Sequence, residues 1–192
     1  MRIVAGKFRS RPLRSLRGAD VRPTSDRLRE TLFNILTAGN SEALEGSVWL
    51  DLFAGTGAVG IEALSRGAAT VYFVESAKPA VELVRQNLQS LGITQGFQIM
   101  QLQAAQAVAQ LERQQAQADY IFLDPPYSLR DAYQKTLETL GRSKLSEKAL
   151  VIAEHEKRFD PGEKPGDLQR IRKLLQGDAG LSFYRRTRNQ NP

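Results

Sequence analysis

Cysteine is absent from the 192 residues. That excludes a disulfide framework, a thiolate zinc site and a cysteine nucleophile. Histidine occurs once, at His155, which excludes any metal centre built on two or three imidazoles. No apolar run reaches the roughly 18 residues of a membrane-spanning helix, so no membrane partner is expected. The basic opening stretch, residues 1–15, lacks the apolar core of a secretory signal,. Ile3-Val4-Ala5 followed by Gly6 reads instead as a folded strand and turn. The expectation is a soluble cytoplasmic protein. A chain of this length buries about two-thirds of its unfolded surface and needs no covalent staples.

What the chain has in excess is positive charge, unevenly spread. The formal net charge is +6. Residues 1–30 hold nine cations against three acids, a net of +6. Residues 31–155 carry a net of −4, and residues 156–192 a net of +4. Of the seven cations up to Arg22, six are arginine, whose fork matches phosphate oxygens. Two basic ends around an acidic middle are the electrostatic footprint of a nucleic-acid partner. The alternative is a solvated basic surface that serves solubility.

Residues 1–20 read as a short basic β-hairpin arm, and residues 21–192 as one further domain. Residues 22–38 read as a helix, with Thr24, Ser25 and Asp26 as N-cap candidates and Leu28, Leu32, Ile35 and Leu36 as its apolar stripe,. From Ser47 onward apolar strands alternate with amphipathic helices. The strands are 48–52, 70–75, 97–102, 120–124 and 149–154; the helices are roughly 57–66, 77–91, 104–116 and 130–142. That rhythm predicts an α/β fold whose mostly parallel sheet is covered by helices on both faces. Two final strands, 168–175 and 181–186, predict an antiparallel hairpin at the sheet edge. Trp49 and Phe33 are core candidates, Phe33 alternatively covering a ligand. His155 reads as structural, and Tyr184 as sheet packing or an RNA contact.

Two loops carry chemistry. The first strand runs through Asp51 into Phe53-Ala54-Gly55-Thr56-Gly57, with a helix after it. Glycines there let a ligand approach the backbone. Glu75, twenty residues beyond Gly55, stands where a carboxylate accepts both hydroxyls of a ribose. Asp51 decides between cofactors. A carboxylate beside the loop repels a pyrophosphate and suits a cofactor that carries an ammonium and a sulfonium. The second loop is Asp124-Pro125-Pro126-Tyr127, at the carboxyl end of the fourth strand. Its prolines remove two N–H donors and expose carbonyls. An exocyclic amine needs acceptors, which Asp124 and the Pro125 carbonyl supply, while the Tyr127 ring can stack on a base. No metal cluster is evident.

Asp51-Leu-Phe-Ala-Gly-Thr-Gly57 resembles the first motif of S-adenosylmethionine-dependent methyltransferases, and the tetrad resembles that of the amino-group methyltransferases. Further blocks at 2–13, 22–36, 50–68 and 181–186 extend the likeness to nearly the whole chain. Together they resemble the bacterial small-subunit ribosomal RNA guanine-N2 methyltransferase family, RsmD. The resemblance implies a class I, Rossmann-like methyltransferase fold with S-adenosyl-L-methionine as cofactor. It implies a guanine of ribosomal RNA as substrate, within an assembling small subunit, and a monomeric enzyme.

The implied catalytic residues are Asp124, Pro125, Pro126 and Tyr127. Cofactor contacts are implied at Asp51, Phe53, Ala54, Gly55, Gly57, Glu75, Ser76, Gln103 and Ala104, with Arg22 and Thr24 helping to cover it. Gln103-Ala104 departs from the short acid or Asn that such enzymes often place near the adenine. Lys7, Arg9, Arg11, Arg14, Arg185 and Arg186 are the expected RNA contacts. Two other readings remain open. One is an amino-methyltransferase acting on DNA bases or protein glutamine. The other is a non-catalytic RNA-binding assembly factor on the same scaffold.

Overall fold

A computed structural model describes residues 1–15, 25–126 and 129–187. Two compact units divide the chain, Met1–Gln103 and Ala104–Pro192. Arg22, Thr24 and Tyr127 lie outside the described residues.

In the first unit, α1 (Asp26–Leu36) precedes β1 (Val48–Leu52), α2 (Ala58–Ser65), β2 (Thr70–Val74), α3 (Lys78–Ser90) and β3 (Phe97–Met100). The strand order is β3-β2-β1, parallel throughout, with Val48 opposite Thr70 and Val71 opposite Phe97. A helix must return the chain between parallel neighbours, which is why apolar strands and amphipathic helices alternate. The α1 helix is shorter than the sequence suggests. Ser25 caps it, its hydroxyl accepting the Leu28 N–H at 3.1 Å. Phe33 is core: its ring stacks on Trp49 at 5.4 Å and both are fully buried. Arg29, one of the nine N-terminal cations, is also fully buried and pairs with Asp26 at 2.8 Å.

The second unit holds α4 (Ala104–Arg113), β4 (Tyr120–Leu123), α5 (Arg130–Arg142), β5 (Leu150–Glu156), β6 (Leu168–Gln176) and β7 (Ala179–Arg186). Its strand order is β4-β5-β7-β6. β4 and β5 are parallel; β7 runs antiparallel to both β5 and β6. The hairpin therefore folds back, so that its second strand lies against β5 and its first forms the edge. His155 and Tyr184 are structural. The His155 ring is buried, with Nδ1 2.8 Å from the Glu156 carbonyl and Nε2 3.0 Å from the Ser182 hydroxyl. Burial holds it below the usual histidine range,. Tyr184 is buried and its hydroxyl donates to the Gly162 carbonyl.

The mostly parallel α/β class with a C-terminal antiparallel hairpin is thus as the alternation predicts. A short 3-10 turn at Lys144–Ser146 carries no sequence signal. No helix among the described residues is long and apolar enough to cross a membrane.

Candidate active site

The turn after β1 is strained and stitched down. Phe53 has a φ of 62°, a left-handed conformation that costs a non-glycine residue roughly 1–3 kcal/mol. Ala54 donates to the Val74 carbonyl at 3.0 Å, and Gly57 to the Ala54 carbonyl at 2.7 Å. Glu75, just past the end of β2, holds the turn from the side. Its Oε2 accepts the Gly55 N–H at 3.0 Å and its Oε1 the Ala77 N–H at 2.8 Å. A carboxylate offers about four acceptor positions, so the half-buried Glu75 retains capacity for the hydroxyls of a ribose.

Asp51 works from beneath the turn. It is 2% exposed, and its Oδ2 accepts the Gly60 N–H at 2.9 Å. Gly60 is the third residue of α2, where backbone N–H groups have no partner within the helix. Only glycine fits there: a Cβ would stand 2.4 Å from a Phe73 ring carbon and 3.0 Å from Asp51 Oδ2. Burial pushes the Asp51 carboxyl up to about 7 against the pull of the Gly60 hydrogen bond, and the charge of Glu75 adds to the rise,. Two acids around one glycine turn fit a cofactor bearing cations and ribose hydroxyls. They disfavour a pyrophosphate. Ala54 is buried, Gly55 half-buried, and Ser76 and Gln103 exposed; Ala104 opens α4 as a buried residue.

The basic arm is built onto the outside of this same unit. Among the described residues its antiparallel pairing is the bridge from Arg2 to Pro12, reinforced by the Ile3 N–H to the Arg11 carbonyl at 3.0 Å. Buried Glu62 accepts the Val4 and Ala5 N–H groups at 2.8 and 2.9 Å and pairs with Arg66. Ser65 accepts the Phe8 N–H, and its carbonyl accepts the Lys7 N–H at 2.7 Å. Gly6 makes the close approach possible: a Cβ there would lie 1.9 Å from the Ser65 carbonyl oxygen. This covering explains why α2 is buried almost all round, two polar side chains included. Lys7, Arg9, Arg11 and Arg14 remain exposed along the arm.

In the second unit the tetrad follows β4. Asp124 is half-buried, Pro125 buried and Pro126 exposed. Both proline carbonyls already accept bonds: Pro125 from the Tyr133 hydroxyl at 3.2 Å, Pro126 from the Leu129 N–H at 2.7 Å. Tyr133, buried on α5, packs its ring 5.0 Å from Phe159, and the Arg130 guanidinium lies 5.6 Å above Phe159. The sequence reading leaves the Pro125 carbonyl entirely to a ligand; one of its two lone pairs is in fact taken. That reading also misses Tyr133, whose only signal is a tyrosine on the buried face of a helix just after the loop.

The strand registers separate Arg185 and Arg186 from the tetrad. Tyr184 faces Val151 while Leu123 faces Ala153. The two arginines therefore lie at the amino end of β5 and Asp124 at its carboxyl end, roughly four residues or 13 Å along the strand. Arg185 donates to the Lys148 carbonyl; Arg186 donates to the Ser143 carbonyl at 3.3 Å and pairs with Asp167 at 3.5 Å. At the carboxyl end stand Lys157 and Arg158, exposed, with Arg130 paired to Glu156 at 3.7 Å. None of these three cations stands out in the sequence. Among the described residues no group of three or more His, Asp or Glu is placed to hold a metal ion.

Residues 1–185 match the model of a family described as Conserved hypothetical protein 95. The chain is 36% identical to Ribosomal RNA small subunit methyltransferase D of Haemophilus influenzae over 82% of this chain and 79% of that one. It is 30% identical to the protein of the same name in Escherichia coli K12, over 97% and 90%. A solved hypothetical protein of Thermus thermophilus superposes with a TM-score of 0.80 at 28% identity, covering 95% of this chain and 98% of that one.

Proposed function

The chain belongs to the Conserved hypothetical protein 95 family, and from that premise we propose that it methylates the exocyclic N2 amine of a guanine in small-subunit ribosomal RNA, with S-adenosylmethionine as methyl donor. The observation that carries this reading is the match along residues 1–185 together with relatives named for methylation of that RNA. The donor set at the glycine turn supports the cofactor, and the acceptor-rich tetrad supports an amine as target.

When bound, S-adenosylmethionine supplies a methyl group on a positively charged sulfur. Glu75 would receive the ribose hydroxyls and the turn at Phe53–Gly57 would hold the cofactor's backbone-facing side; Ser76, Gln103, Ala104, Arg22 and Thr24 are the further residues proposed to contact it. Asp51 braces that turn through Gly60, and an ammonium bound nearby would favour its ionised form. Asp124 and the remaining lone pair of the Pro125 carbonyl accept the two N–H groups of the guanine amine, and Tyr127 stacks on the base. The lone pair of an aromatic amine is spread into the ring. Two acceptors pulling on its hydrogens favour the pyramidal form, whose lone pair is available for in-line attack. Tyr133 keeps the Pro125 carbonyl in one plane. On methyl transfer from sulfur to nitrogen the amine would give up one proton, to Asp124 or to solvent. Positioning supplies most of the rate.

The exposed arm cations Lys7, Arg9, Arg11 and Arg14 hold RNA phosphates; Arg185 and Arg186 contact RNA only away from the tetrad. A folded RNA within an assembling subunit supplies the shape that so small a protein cannot read base by base. The enzyme acts as a monomer in the cytoplasm.

Incubation with methyl-labelled cofactor and separate pools of ribosomal RNA, DNA and protein tests this. Label in RNA, recovered as N2-methylguanosine, is the expected result. Label in DNA or protein alone would refute it.

A further inference from the structure

Asn87 stands between the arm and the glycine turn, and the proposed function gives it no role. It lies on α3 and is fully buried. Three of the four hydrogen-bonding positions of its amide are directed at the polypeptide,. Oδ1 accepts the Arg14 N–H at 2.8 Å, while Nδ2 donates to the Arg14 carbonyl at 3.2 Å and to the Thr56 carbonyl at 2.9 Å. The first two bonds make the side chain a one-residue strand partner for the arm. The third reaches into the turn between Gly55 and Gly57.

Neighbouring contacts run the same way. The Thr56 hydroxyl points at the Met1 sulfur, 3.9 Å away. Arg14 reaches Gln86 at 3.2 Å and Arg11 reaches the Ser90 carbonyl at 3.2 Å, so the two guanidinium groups lie along the same helix that carries Asn87. A buried amide left with even one unmet bond is destabilising. Displacing the arm would break two such bonds, and distorting the turn would break the third.

We propose that Asn87 is a positioning residue that joins the RNA-holding arm to the cofactor-holding turn, so that RNA and cofactor each strengthen binding of the other. This rests on the assignment of the turn to S-adenosylmethionine and of the arm to RNA. Ordering the arm fixes Arg14; Arg14 fixes the Asn87 amide; the amide fixes the Thr56 peptide. Linkage makes the effect reciprocal: whatever factor RNA contributes to cofactor affinity, the cofactor contributes to RNA affinity.

The test titrates S-adenosylhomocysteine into the full chain, alone and with saturating isolated small-subunit ribosomal RNA. The wild type should bind about fivefold or more tightly with RNA present. N87D keeps the shape and the acceptor but replaces both donors with an oxygen, and its ratio of the two affinities should fall to near one. S65A loosens the arm at α2 without touching Thr56, and should retain a ratio above one. A merely structural Asn87 would weaken both measurements of N87D equally and leave the ratio intact, which overturns the proposal while the functional reading stands. Absence of S-adenosylhomocysteine binding to wild type would sink both. Should N87D not fold, hydrogen exchange of the wild type decides. The Arg14 amide should exchange several-fold more slowly once S-adenosylhomocysteine is bound, and an unchanged rate would contradict the link.

Discussion

Single side chains divide the labour, and two aspartates illustrate how differently. Asp124 follows β4 half-buried, beside two proline carbonyls, and the proposed function sets its charge against the N–H groups of the target amine. Asp124→Ala should abolish methyl transfer and change the dissociation constant for S-adenosylhomocysteine by less than about twofold; full activity would remove the tetrad from the chemistry. Asp51 is sealed under the turn with its pKa raised to about 7. Its ordinary unfolded value is about 3.9. The native state thus binds this proton more tightly than the unfolded state, and stability must fall as pH rises from about 4 to 7, then level off. A rise of that size corresponds to at most about 4 kcal/mol. Asp51→Asn keeps an acceptor for the Gly60 N–H and carries no charge. Its unfolding free energy should vary less with pH over that window than the wild type's, as urea titrations at several pH values would show. An identical slope would mean that Asp51 ionises without penalty.

Whole elements are more legible in the sequence than the contacts between them. Parallel strands buried on both faces must be nearly continuous apolar runs, and returning helices must be amphipathic. Val48–Leu52, Val81, Val84 and Leu88 therefore announce β1 and α3 by pattern alone. The arm is legible as basic and turn-rich, but its docking is not. Glu62, Ser65 and Asn87 read as ordinary polar helix positions, because a buried acceptor for a distant backbone N–H has no periodicity. The Tyr133 bond to Pro125 is hidden for the same reason. Gly6 tests the docking. Gly6→Ala places a methyl group on the Ser65 carbonyl, in a left-handed conformation besides. The arm should lift, and trypsin should cut after Lys7 or Arg9 several-fold faster than in the wild type. Equal cleavage rates would mean that the arm seats without this approach. Boundaries move where a cap or a turn decides them: of the three cap candidates Ser25 starts α1, and Glu75 leaves β2 to hold the turn.

At the scale of the molecule the governing quantity is the uneven charge, +6 over residues 1–30 against −4 over the middle of the chain. Arg29 is buried in the first unit, whereas Lys7, Arg9, Arg11 and Arg14 on the arm and Arg27 on α1 are exposed. Neutralising Arg9, Arg11 and Arg14 together should flatten the plot of log affinity for ribosomal RNA against log salt by about 0.7–0.9 for every phosphate no longer neutralised. An unchanged slope would take the arm off the RNA. In the proposed function the charge serves a nucleic-acid partner, the glycine turn a methyl donor and the tetrad an amine acceptor. One measurement joins the three: mass mapping of modified nucleosides in small-subunit ribosomal RNA from cells with the intact protein, without it, and with the Asp124→Ala form. One N2-methylguanosine should be present in the first and missing from the other two. The same N2-methylguanosines in all three RNAs would contradict the account.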